Sequence, residues 1–90
     1  MKVVWKYELN KRGIVFAKMP LGAEILSIQA QNNVPCIWAL VDPEAELTDR
    51  AFETLATGEK VEDDNRRKYI GTYQMYGGEF VFHCFELLKK

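Results

Sequence analysis

Two stretches of this chain are apolar on both faces when read at the two-residue period of a β-strand. In residues 36–41, Cys36, Trp38 and Leu40 alternate with Ile37, Ala39 and Val41, and all six are apolar. In residues 79–88, Phe80, Phe82 and Cys84 alternate with Val81, His83, Phe85 and Leu87. A half-buried strand shows one apolar face and one polar face, so a strand apolar on both is covered on both. In 90 residues this demands stacked layers of sheet.

The rest of the chain supplies those layers. Val3, Trp5, Tyr7 and Leu9 alternate with Lys6 and Glu8. Leu26, Ile28 and Ala30 alternate with Ser27, Gln29 and Gln31. The period-two pattern predicts antiparallel strands at 2–9, 13–19, 23–31, 35–41, 69–76 and 79–87. Asn10-Lys11-Arg12-Gly13 is turn chemistry, which makes the second strand the expected hairpin partner of the first. Asn32-Asn33 and Gly77-Gly78 read as hairpin tips, because Asn and Gly tolerate the left-handed conformation a tight turn needs. Pro35 opens a strand and Asp42-Pro43 ends it.

Residues 43–58 fit two templates. Leu47, Ala51 and Leu55 recur at helical spacing, with Thr48 as an N-cap and Gly58 as a stop. Phe52, Thr54 and Ala56 share one face of a strand. The expected fold is therefore all-β: a small antiparallel sandwich or barrel of six to seven strands, with one short helix around 48–57 as the alternative for that segment. The expected core is Trp5, Leu26, Ile28, Trp38, Leu40, Phe80 and Phe82.

Charge narrows the function classes. Twelve Lys and Arg against thirteen Asp and Glu leave a net charge of −1, without the basic excess of a general nucleic-acid binder. No apolar run approaches the ~18 residues of a membrane span. The first six residues alternate charged and apolar side chains, unlike a signal peptide, which places the expected workplace in a cytoplasm. Cys36 and Cys84 then read as two buried thiols.

Catalytic and metal patterns are weak. His83 is the single histidine and lacks a nucleophile or carboxylate partner in any motif. His83 and Cys84 are adjacent on a strand, point to opposite faces and so do not chelate one ion. Glu62-Asp63-Asp64 lacks the spacing of a calcium loop, and Arg66-Arg67-Lys68 follows it closely enough for mutual neutralisation. Gly77-Gly78 has no phosphate-loop context. No cofactor, metal or enzymatic activity is expected.

Several segments together resemble a family of short bacteriophage and prophage proteins of unknown function. They are Trp5 to Leu9, Met19 to Ser27, Val34 to Asp42, Tyr69 to Tyr73 and Phe82 to Glu86, with Val-Pro-Cys-Ile-Trp-Ala-Leu-Val-Asp the most distinctive. The resemblance covers nearly the whole chain. It implies a strand around 51–58, a viral or prophage origin and a host cytoplasm, and it brings no activity, cofactor or site.

The expectation is a non-enzymatic binding module that blocks or sequesters a host component, either a defence protein or a nucleotide signal. A virion structural or decoration protein is the alternative. The doubly apolar strands add an expected homo-oligomer, because either the 44–57 segment or a second copy must cover them. Aromatic walls from Trp38, Tyr73 and Tyr76, with charge from Arg66 and Arg67, are the candidate site for a planar anionic ligand.

Overall fold

The alternating segments fold into seven antiparallel strands in two sheets, as the computed structural model, which describes residues 1–88, shows. They are β1 (Val3–Glu8), β2 (Gly13–Pro20), β3 (Glu24–Gln31), β4 (Val34–Val41), β5 (Leu47–Ala56), β6 (Arg67–Met75) and β7 (Phe80–Leu87). Sheet A has the order β1-β4-β3 and sheet B the order β2-β5-β7-β6. The two doubly apolar strands, β4 and β7, are interior strands of their sheets, as their composition requires.

The strand template wins over the helical one at 47–56. Phe52 and Thr54 are buried on the inner face of β5, whereas Leu47, first member of the helical stripe, is exposed. A helix presenting Leu47, Ala51 and Leu55 would have removed Phe52 from the core. Full burial of that one phenylalanine is worth roughly 2–3 kcal/mol.

The expected β1–β2 hairpin does not form. β1 pairs with β4, Trp5 opposite Ala39, and β2 pairs with β5, Val15 opposite Phe52. The Asn10–Arg12 turn instead carries the chain from one sheet to the other. Leu9, buried and bonded through its N–H to the Pro35 carbonyl at 2.8 Å, anchors the crossing. The β3–β4 hairpin forms as expected, with Asn32 and Asn33 both at positive φ. The β6–β7 tip is a four-residue loop in which Tyr76 joins Gly77 and Gly78 at positive φ.

The core needs a correction. On β4 the inner residues are Ile37, Ala39 and Val41, all fully buried, and Trp38 and Leu40 lie half-buried on the outer face. Small Ala39 faces inward between its cross-strand neighbours Trp5 and Ile25. Trp5 is 39% exposed, Leu26 49% and Phe80 48%, so three expected core residues lie at the periphery. Trp5 sits on the edge strand β1, and Leu26 falls in the β-bulge between Ile25 and Ser27. Phe80 is the first residue of β7, beside Tyr76 at the β6–β7 tip. Ile28 is buried as expected, and Phe82 packs half-buried against the core.

The seam between the sheets runs along β3 and β6. A Cβ added at Gly71 would stand 2.9 Å from Ile28 Cγ2, so the missing side chain sets how closely the strands cross. Both doubly apolar strands are covered in part within the chain, their outer-face residues being half-buried apart from buried Cys36. On the outer face of sheet A, Lys6 Nζ donates to Gln31 Oε1 at 2.8 Å, and this bond spans β4 on the side where Cys36 is buried. On the outer face of sheet B, Tyr69 packs edge-on against Phe85, and Thr57 bonds to His83.

Candidate functional site

Two concavities carry the chain's binding potential. The first is a trough of about 810 Å³ on the β2 side of sheet B, lined on the outer face by Ile14, Phe16, Ala51 and Leu87 and reaching round the strand ends to Arg50 and Glu86. Its floor is Ala51, which pairs with Phe16 on one side and Leu87 on the other, so a small residue lies between two large ones. Ile14 and Leu21 extend the apolar wall, and Lys68 stands at the rim. Phe16 is 70% exposed, Leu21 59% and Ile14 49%. β2 is also the edge strand of its sheet, so this apolar ridge borders a free backbone edge.

The second is a mouth of about 190 Å³ between the sheets, at the end where the β1–β2 crossing meets the β3–β4 hairpin. Tyr73 and Phe82 form its aromatic wall, their centroids 5.7 Å apart with planes tilted by 34°. Thr54 lies deep in it, and Thr54 Oγ1 is buried without a well-formed hydrogen bond among the described residues. Burial raises the pKa of the Tyr73 phenol above its ordinary value, and the neighbouring Thr54 hydroxyl offsets part of that rise. The Arg12 guanidinium lies over the Phe82 ring, 5.1 Å from its centroid, and is held from outside by Glu59 at 2.6 Å. Lys11 also lines the rim.

The five residues singled out from the sequence do not form one cluster. Trp38 lies half-buried on the outer face of sheet A. Arg66 and Arg67 stand at the start of β6 and Tyr76 just beyond its end, roughly 30 Å apart at the rise of an extended chain. Arg67 is consumed internally: Nε donates to Glu53 Oε1 at 2.7 Å and Nη1 to Asp64 Oδ1 at 3.1 Å. Arg66 lines one end of the trough, and Tyr73 lines the mouth. Tyr76 is spent on the hairpin tip, where its N–H donates to Asn33 Oδ1 at 2.8 Å and its ring packs edge-on against Phe80.

A family model described as a domain of unknown function, DUF7352, matches residues 1–90. The chain belongs to the DUF7352 family. That description names neither a source nor an activity. No curated protein and no solved structure matches the chain.

The chemistry of this DUF7352 domain therefore rests on its own side chains. His83 sits on the outer face of sheet B with Nε2 2.7 Å from Thr57 Oγ1 and Nδ1 2.9 Å from Thr72 Oγ1. Thr72 Oγ1 is in turn 2.6 Å from the Tyr69 hydroxyl. Both ring nitrogens are occupied by neutral hydroxyls, an arrangement that fixes the ring and supplies no carboxylate to orient a general base. Cys84 is buried, and burial pushes its thiol up to about 12. At neutral pH it is a packing residue and not a nucleophile. Among the described residues no group of three or more His, Cys, Asp and Glu is placed to hold a metal ion.

Phe16, Thr54 and Arg12 of the DUF7352 domain carry no motif that marks them in the sequence. Phe16 falls in the period-two pattern of β2, but only the strand order shows that β2 is an edge. Thr54 was visible as the lone polar member of the Phe52, Thr54, Ala56 face. Arg12 looked like ordinary turn composition.

Proposed function

We propose that this domain is a non-enzymatic binding module that captures a host component without converting it, and that it works as a two-fold dimer closed across β2. The observation that carries this reading is the pairing of knob and hole on one face: Phe16, 70% exposed, stands beside the trough over Ala51. A face that carries both a projection and the recess to receive it is self-complementary, as an isologous interface requires. Each Phe16 enters the trough of the other copy, and Ile14 and Leu21 close around it. Lys68 stands at the trough's rim, and Asp49, which also lines it, is paired with Lys18 at 2.9 Å.

Oligomerisation accounts for the apolar surface that the chain leaves exposed around β2 and the neighbouring end of β7. A monomer seldom leaves such a ridge beside a free edge strand. The binding reading follows from what the chain offers: shaped surfaces, and a histidine and cysteines without a catalytic partner. The resemblance to phage proteins makes the captured component a host one.

Native mass spectrometry of the protein purified from a bacterial cytosol tests this. The expected spectrum is a dimer at twice the 10.4 kDa chain mass, carrying a stoichiometric additional mass from the captured component. Phe16→Asp is expected to give the monomer. A bare monomer from the unmodified chain would overturn the reading.

A further inference from the structure

We infer that the mouth between the sheets is a binding site for a small planar anion, of the class of an aromatic or heteroaromatic ring bearing one carboxylate. This site lies away from the β2 face and stands whether or not the chain dimerises.

Size sets the ring. The mouth holds about 190 Å³. An apolar cavity of about 150 Å³ accepts benzene, so this one takes a six-membered ring with a substituent. Its walls set the shape, since Tyr73 and Phe82 offer two aromatic faces to a flat ligand.

Depth sets the polarity. Thr54 is only 4% exposed, and its hydroxyl, with the Tyr73 phenol as its polar neighbour, completes no well-formed hydrogen bond. A buried hydroxyl left in that state is costly, and such atoms normally meet a protein group, a water or a ligand. A ring nitrogen, hydroxyl or carbonyl at the inner end of the ligand would satisfy it.

The rim sets the charge. The residues lining the mouth include two bases, Lys11 and Arg12, and the one acid at its edge, Glu59, is already paired with Arg12. Arg12 is already oriented by Phe82 below it and Glu59 outside it, so its remaining N–H groups are presented without further ordering. Lys11 has no ion-pair partner among the described residues. A carboxylate at the outer end of the ligand meets both. The site thus has the usual make-up of a small-molecule pocket: apolar walls, with a few polar groups at fixed ends.

The test is a titration of the full chain with 4-hydroxybenzoate, followed by amide chemical shifts, with 4-hydroxybenzamide as the uncharged control. Expected are saturable shifts confined to residues 9–12, 33, 34, 54, 73, 75 and 82, with the carboxylate bound at least fivefold more tightly than the amide. Arg12→Gln is expected to erase that preference. Thr54→Val, which keeps the shape and removes the hydroxyl, is expected to weaken 4-hydroxybenzoate about tenfold without lowering the melting temperature, and Thr54→Ser to restore it. The inference is overturned by an absence of saturable shifts up to 10 mM, or by shifts elsewhere. Equal affinities for carboxylate and amide would also overturn it, as would an unchanged affinity in the Thr54→Val variant.

Discussion

Arg50 on β5 and Glu86 on β7 form a two-pronged ion pair on the inner face of sheet B, with Nε–Oε2 at 2.5 Å and Nη2–Oε1 at 2.9 Å. Arg50 Nη1 also donates to the Ala23 carbonyl at 2.7 Å, just before β3, so one side chain ties the two sheets. Glu86 is 6% exposed. Removing one partner strands the other charge away from water, which typically costs 3–5 kcal/mol. Glu86→Ala is expected to lose about 3 kcal/mol, the low end of that range, because the Arg50 side chain keeps a fifth of its exposure. The double replacement Arg50→Leu with Glu86→Leu removes both charges and is expected to stay within about 1 kcal/mol of the unmodified chain or to exceed it. Urea unfolding measures both. A Glu86→Ala loss below about 1 kcal/mol would show that the pair does not hold the sheets together.

Alkaline pH is expected to weaken this domain. Burial raises the folded-state pKa of Cys84 from an ordinary 9 to about 12, and raises Cys36, Tyr7 and Tyr73 as well. Between the unfolded and folded values the native chain holds protons that the unfolded chain has released. Stability is therefore fully present below about pH 9 and falls as pH rises. The slope from Cys84 alone approaches roughly 1.4 kcal/mol per pH unit. Urea midpoints at pH 8, 9, 10 and 11 measure it, with Cys84→Val flattening the first part of the decline. A midpoint constant to pH 11 would contradict the burial of these groups.

The crossing of β3 and β6 is expected to tolerate no side chain at Gly71. A methyl there meets Ile28 Cγ2 at 2.9 Å, and overpacking of this kind costs about 1–3 kcal/mol. Gly71 is not at positive φ, so the cost is steric and not conformational. The prediction is a favourable coupling between Gly71→Ala and Ile28→Ala in a double-mutant cycle, above about 0.5 kcal/mol. Strict additivity would mean that the strands move apart freely.

The hairpin tips supply a smaller tie. Asn33 both occupies a left-handed turn position and accepts the Tyr76 N–H. Asn33→Gly keeps the turn and loses the bond, an expected loss of about 1 kcal/mol. Asn33→Ala adds the strain of a positive φ and is expected to lose more. Thermal melts of the two variants separate these contributions, and equal melting temperatures would contradict them.

The strands were legible because alternation is local, and because each doubly apolar run announces an interior strand. What was not legible is which strands pair. The Asn10–Gly13 turn looks like a hairpin, yet it joins two sheets; nothing in those residues records that β4, much further along the chain, is the partner of β1. The facing of β4 was misread because Trp38 and Leu40 are larger than Ala39. Size favours burial in general, but Ala39 shares the inner face with its large cross-strand neighbours Trp5 and Ile25. The candidate site was legible only at Tyr73, whose place beside Thr54, Phe82 and Arg12 comes from three other segments of chain. Arg67 attracted notice as a cation and proves to be neutralised by Glu53 and Asp64.

Sedimentation equilibrium at micromolar concentration distinguishes the dimer from the single chain. The unmodified chain is expected to sediment at twice its 10.4 kDa mass, and Phe16→Asp at the single mass with an unchanged circular dichroism spectrum. Charge placed in the trough across the interface breaks the dimer without touching the core, because Phe16 lies outside it. A unit mass for the unmodified chain across the whole concentration range would contradict the account. So would a Phe16→Asp chain that remains a dimer.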